Sequence, residues 1–195
     1  MAELRDRKKQ QTHDALSQAA IALFLERGFD EVSVADIAAA VDVSKPTLFK
    51  YFATKQDLVL YRIADHAGEA ARVVKAATGD PVEALRAHFV DGLKRRDPVT
   101  GLNDDPEVLA YYRLVFSTPA LATRVHEFVA ADQAALAAAL GTGLKAELTA
   151  ADLISTQQVL SRRNWTVLST GITADTQYRT AVAEANQAYR RLTHR

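Results

Sequence analysis

Helix starts are written into this chain more plainly than any other feature, and they constrain what it can fold into. Repeatedly a Ser, Thr or Asp stands just before a run whose apolar residues recur every three or four positions. Ser33 with Asp36, Thr54 with Asp57 and Thr149 with Asp152 add an acidic residue three places on, the reciprocal arrangement that satisfies the free N–H groups of a first helical turn. Asp80, Asp105 and Thr118 are each followed by Pro, whose missing N–H costs little at that position. No stretch alternates with period two for long enough to make a strand. Eight glycines and five prolines in 195 residues are fewer than a sandwich or barrel needs for its turns. The fold class read from these signals is all-α.

The first helix is expected over residues 3–27, where Leu16, Ala19, Ala20, Leu23 and Phe24 make one apolar stripe and Gly28 offers a left-handed stop. A segment of about eight residues follows Ser33, with Ile37 and Val41 on one face. Ser44 opens a third short helix, with Pro46 in its first turn and Leu48 and Phe52 on one face. From Thr54 a fourth helix is predicted through Leu58, Tyr61 and Ile63 toward Thr78. Further helices are expected at 81–96, from Pro106, from Pro119 to Gly141, from Thr149 to Gly171, and from Thr173 nearly to the end, about nine in all. The reading divides the chain into residues 1–53, three helices of which two are short, and a larger helical part at 54–195.

Composition narrows the function classes. There is no cysteine, which removes disulfides, thiolate zinc sites and thiol catalysis. The five histidines, His13, His66, His88, His126 and His194, never stand three or four residues from one another. There is no HExxH, no phosphate-binding glycine loop and no nucleophile elbow. The sequence is therefore read as a non-enzyme without metal or cofactor. Twenty-four basic and 24 acidic residues give zero formal charge; this excludes only a uniformly basic surface, because phosphate contacts are local. No apolar run approaches the roughly 20 residues of a membrane span, and the charged N-terminus lacks a signal-peptide core, so a cytoplasmic protein with no membrane partner is expected.

Two short helices joined by Asp42, Val43 and Ser44 have the form of a helix-turn-helix. The second helix of such a unit must be held by one apolar face and offer the other to base edges. Leu48 and Phe52 supply the anchor; Lys45, Thr47 and Lys50 lie elsewhere around the helix. Lys can reach guanine acceptors and the Thr methyl can meet a thymine methyl. Tyr51 can donate to a phosphate and Lys55 can neutralise another, while Ser33 and Lys55 mark helix starts whose N–H groups favour anions. A basic cluster of Arg5, Arg7, Lys8 and Lys9 is either an arm that reaches the duplex or a solvated helix start. Residues 1–60 hold 8 Lys and Arg against 9 Asp and Glu, so the acids, among them Asp14, Glu26, Asp30, Glu31 and Asp42, must face away from DNA.

The segment Thr12–Leu58, THDALSQAAIALFLERGFDEVSVADIAAAVDVSKPTLFKYFATKQDL, resembles the DNA-binding domain of the TetR family of transcriptional regulators. The marks are a first helix ending LFLERGFDEVSV, then ADIAAAVDVS, TLFKYF and ATKQDL. The resemblance covers about a quarter of the chain. It implies a nine-helix layout and a homodimer through the last two helices. It also implies a double-stranded DNA operator read by helices two and three, and a small-molecule effector among helices four to eight. Matched residue by residue, the family's DNA-contacting positions fall on Ser33, Lys45, Pro46, Thr47, Tyr51 and Lys55. Phe49 departs from the family's frequent Tyr and has no hydroxyl for a phosphate; it packs or makes an apolar base contact.

In the larger part, Leu153, Ile154, Val159, Leu160, Trp165, Val167, Leu168, Tyr178, Val182, Ala185 and Tyr189 read mostly as an interface across a two-fold axis. His88, Phe89, Tyr112, Phe116, Asn164 and Trp165 are the candidate pocket residues, since ligand cavities are mostly apolar with a few oriented polar groups; each has core packing as its alternative. The expected function is a DNA-binding regulator, a repressor released by an effector. Two other readings stay open: a DNA-binding dimer without effector, and a helical enzyme carrying a helix-turn-helix.

Overall fold

The capping signals produce helices where they stand. The structure is a computed structural model that describes residues 2–193, with side chains from Arg7 onward; the side chain of Arg5 and the whole of His194 lie outside the described residues. Among these are ten α-helices, one 3-10 turn and no strand: α1 Ala2–Arg27, α2 Val34–Ala40, α3 Lys45–Phe49, α4 Lys55–Ala64, α5 Glu69–Ala76, α6 Pro81–Arg95, the 3-10 turn Pro98–Thr100, α7 Pro106–Ser117, α8 Pro119–Leu140, α9 Leu144–Leu168 and α10 Ala174–Thr193. No described helix is long and apolar enough to cross a membrane.

Two compact units are present. The first takes in the chain up to Asp65 together with Ala110–Val125; the second takes in His66–Leu109 and the chain from His126 on. This is a division by packing, whereas the division at 53/54 read from sequence is one by role.

In the first unit Leu16, Ala20, Phe24, Val32, Ile37, Leu48, Phe52, Leu58, Val59 and Leu60 are buried. They are the apolar positions of the helical periodicities, so the stripe of α1 closes on α2, α3 and α4. Two side chains tie α4 to its neighbours by its backbone. Buried Ser17 donates to the Leu58 carbonyl at 2.8 Å and Tyr111 donates to the Val59 carbonyl at 3.0 Å. Arg124 donates to Asp57 at 3.2 Å.

The fourth predicted helix is two helices. α4 stops at Ala64, and Gly68 (φ 71°) is the left-handed residue before α5. Its N–H leaves the helical ladder and donates to Asp132 Oδ1 at 2.7 Å. The apolar period runs on through this break, which is why periodicity alone misses it. The predicted start at Thr149 is likewise corrected: α9 begins at Leu144 behind Gly143, and the Thr149 hydroxyl donates to the Lys145 carbonyl inside the helix.

The second unit is built on Leu85, Phe89, Leu93, Leu102, Leu136, Leu153, Leu160, Ala181, Ala185 and Tyr189. The 3-10 turn is fastened to α9, with Asn164 Nδ2 donating to the Thr100 carbonyl at 2.9 Å and Ser161 to the Val99 carbonyl at 2.7 Å. Gly101 (φ 71°) makes this approach possible, because a Cβ there would overlap the Ser161 carbonyl. Backbone cannot yield as a flexible side-chain tip does, and the left-handed conformation adds its own penalty. Gly101→Ala is expected to cost on the order of 2 kcal/mol or more in denaturant unfolding. Gly79→Ala, with open space around it, should leave the midpoint nearly unchanged; equal midpoints for the two variants would contradict the close approach.

Candidate nucleic-acid interface

A five-residue helix has no stability of its own, so α3 depends on its ends and its anchor. Ser44 Oγ accepts the Thr47 N–H at 3.2 Å and lies 2.7 Å from the Thr47 hydroxyl. Leu48 is wholly buried and Phe52 nearly so. The connection from α2 bends at Asp42, whose φ of 53° is in the left-handed region that Asp tolerates better than most residues. What remains outward is a continuous face: Lys45, Pro46, Phe49 and Lys50 are exposed, with Thr47 and Tyr51 half-buried at its margin. Thr47 has its hydroxyl turned to Ser44, which leaves the methyl as its outward chemistry. Phe49 is 45% exposed; it does not pack into the core.

The structure engages two of the sequence-derived residues internally. Ser33 caps α2, and both its N–H and its hydroxyl donate to Asp36 Oδ2 at 2.8 Å; these bonds hold the Asp36 carboxyl below its usual range, backbone donation first. Lys55 Nζ donates to the Phe29 carbonyl and stands 4.4 Å from the Phe29 ring centroid and 5.3 Å from that of Phe24. Its ammonium thus joins the start of α4 to the turn after α1, a contact between residues 26 apart that no local pattern reveals. At the chain start, Arg7, Lys8 and Lys9 are exposed on the first turns of α1; they belong to a helix and not to an extended arm.

The pocket candidates are dispersed. Phe89 is in the second unit's core, 6.3 Å from the Tyr189 ring, and Asn164 is buried on the Thr100 carbonyl. Trp165 is half-buried, with the Arg162 guanidinium 5.2 Å from its ring centroid. Tyr112 and Phe116 belong to the first unit, stacked at 5.6 Å. His88 belongs to a cluster that the sequence reading missed: Glu69 accepts from His66 Nδ1 at 2.8 Å and from His88 Nε2 at 3.0 Å. The spacing of three between His66 and Glu69 was the available signal. No group of three or more described His, Asp or Glu side chains could hold a metal ion.

The segment that carries this geometry has relatives among known proteins. Residues 16–61 match the family model described as bacterial regulatory proteins, tetR family. Over that segment, about a quarter of the chain, the protein is similar to the TetR family. Among its relatives, the HTH-type transcriptional regulator TcmR of Streptomyces glaucescens is 38% identical over 122 residues. That match takes in 60% of this chain and 54% of TcmR, so it spans about half the length of that relative. NalD, the secondary repressor of the MexAB-OprM multidrug efflux pump in Pseudomonas aeruginosa, has a similar fold, with a TM-score of 0.61 at 16% identity over 93% of this chain and 97% of NalD. A SmeT–triclosan complex matches with a TM-score of 0.61 at 16% identity over 91% of each chain. The family model and the relative alike describe regulators of transcription.

Two outcomes are expected. Lys55→Met keeps the apolar stem but loses the bond to Phe29, and should lower unfolding stability by about 1–2 kcal/mol; no loss would mean that the ammonium is not held there. His88 is raised above its ordinary value, chiefly by its bond to Glu69, and Glu69 is lowered by His66 and then His88. The His88 contribution is complete below pH 6.5 and fades as pH rises through its higher folded value. The Glu69 contribution is complete above 4.5 and fades in strong acid. Thermal melts of His88→Gln should therefore differ most from wild type at mildly acid pH and converge toward it in alkaline buffer.

Proposed function

We propose that this chain is a sequence-specific DNA-binding regulator, a repressor acting in the cytoplasm, that reads an operator in double-stranded DNA with α3 and releases it when a small molecule binds. The observation that carries the reading is the outward face of α3: two lysines, a proline and a phenylalanine exposed on a capped helix whose other face is buried. Lys45 and the Thr47 methyl act as base-edge groups. Pro46 and Phe49 offer apolar contact to thymine methyls. Lys50, Tyr51 and the first-turn N–H groups behind Ser33 and beside Lys55 position the phosphates. The ammonium of Lys55 contributes to the field of this surface while bonded to Phe29.

Two reading heads are needed for adjacent major-groove faces, roughly 34 Å apart, so the active species is a homodimer. α9 and α10 are its proposed interface. Leu144 is 70% exposed, Leu148 57% and Val159 59%, whereas Leu153, Ile154, Leu160, Leu168, Ala185 and Tyr189 are spent on the subunit's own core. The effector reading is supported by the fold shared with the protein of the SmeT–triclosan complex. Tyr112 and Phe116 in the first unit, and separately His88 and Trp165 in the second, remain candidate contacts, while Phe89 and Asn164 serve the core. An effector that takes occupancy from 99:1 to 1:99 must prefer the released arrangement by about 5.5 kcal/mol.

Selection of bound fragments from a random duplex pool tests the reading. Wild-type protein should enrich one palindrome-like site, and Lys45→Ala should flatten preference at one position of each half-site, by about 1–3 kcal/mol. An unenriched pool, or a Lys45→Ala protein with unchanged preference, would overturn the assignment of α3.

A further inference from the structure

On α1, His13 is set into a box of rings. Its imidazole centroid is 4.1 Å from that of Phe52, 4.0 Å from that of Tyr61 and 6.3 Å from that of Tyr51, the two tyrosines edge-on. Its Nδ1 is buried and has no hydrogen-bond partner among the described residues. Three elements meet at this ring: α1, the turn that closes α3, and α4. Tyr61 is itself held, its hydroxyl accepting from Gln10 Nε2 at 2.6 Å, and Gln10 donates also to Asp14 at 2.9 Å.

Packing alone does not call for an imidazole here. A leucine or phenylalanine would fill the box without burying a nitrogen that finds no partner, a desolvation cost that apolar side chains avoid. What the imidazole adds is a proton site beside the residues that anchor and flank the DNA-facing helix. Phe52 is one of the two side chains that hold α3, and Tyr51 is the proposed phosphate contact next to it. A change in the ring between Phe52 and Tyr61 is therefore felt first by the turn that carries both.

The charged groups around the ring are Asp14 and Lys9 on its own helix and Asp65 at the end of α4; Tyr51 and Tyr61 are the titratable side chains in ring contact. Burial outweighs the two carboxylates and, with Lys9, pushes His13 below its ordinary value of 6.5. For a base lowered in the fold, the stabilising effect is complete above the unfolded value and is lost as pH falls through the folded one. The ring faces and the two carboxylates offset part of the cost of a buried charge, so acid loosens the box by degrees.

We propose that His13 is a positioning residue for DNA binding: as an uncharged wedge it fixes the Tyr51–Phe52 turn against Tyr61, and its protonation in mildly acid solution weakens the grip of α3 on a duplex. This rests on the DNA-binding reading above.

The test uses the full chain and a labelled duplex selected from a random pool by the wild-type protein, with affinity measured from pH about 7.5 down to about 5.5. Wild type should lose on the order of tenfold in affinity across this range. His13→Phe keeps a ring but cannot titrate; it should bind like wild type at the upper pH and lose the acid-dependent weakening. His13→Ala lacks the wedge and should bind about tenfold less tightly at both ends of the range. If circular dichroism shows that the Phe variant is unfolded, His13→Gln, which also cannot titrate, takes its place. An acid-dependent loss in the non-titrating variant equal to that of wild type overturns the proposal, as does wild-type affinity in His13→Ala. An NMR titration of the His13 ring in the DNA-free protein separates this idea from the reading beneath it. Failure of wild type to bind any duplex at any pH overturns the DNA-binding reading, whereas a ring that titrates at or above 6.5 with the Tyr51 resonances undisturbed overturns the wedge.

Discussion

A helix of five residues cannot hold itself, and the outward face of this protein is built on one. α3 owes its shape to the Ser44 cap at one end and to the burial of Leu48 and Phe52 behind it. Burying a side chain of that size stabilises by about 1.5–3 kcal/mol relative to leaving it exposed, more than so short a stretch of backbone bonding supplies. The exposed side chains of α3 are positioned by hydrophobic contact with α1, α2 and α4. The exposed surface is thereby separated from folding: Lys45, Pro46, Phe49 and Lys50 can change without touching the anchor, while the anchor keeps the frame.

The same unit shows how strongly local bonding draws polar groups inward. Ser33 and Lys55 look from sequence like groups offered to phosphate. In the fold, Asp36 takes both donors of Ser33, and the Phe29 carbonyl and ring take the ammonium of Lys55. Both side chains brace the backbone at the helix starts where they stand.

Much of this architecture is legible in the sequence because helix ends are local. The caps at Ser33, Ser44 and Thr54 read correctly, since a hydroxyl or carboxylate three residues from its N–H partner is visible as spacing. The order of α1 to α4 and the anchoring pair Leu48 and Phe52 follow from the same arithmetic. What spacing does not show has a common cause. The break at Gly68 depends on Asp132, 64 residues away, taking the N–H that the helix gives up. The roles of Lys55 and Asn164 depend on backbone carbonyls at Phe29 and Thr100. The His66–Glu69–His88 cluster is half local and half not, and only its local half could have been read. Polar side chains whose partners are distant carbonyls look in a sequence like candidates for a ligand, which is why Asn164 stood among the pocket residues.

One consequence follows from the two carbonyls of α4 that side chains engage. Leu58 is held by Ser17 and Val59, the next residue, by Tyr111. Neighbouring carbonyls on an α-helix sit about 100° apart around the axis, so the two tethers reach it from different sides. Spinning α4 in place would stretch one or the other. Any displacement it undergoes must therefore be a tilt or a slide, made together with the Ser17 and Tyr111 segments like a bolt carried between two plates.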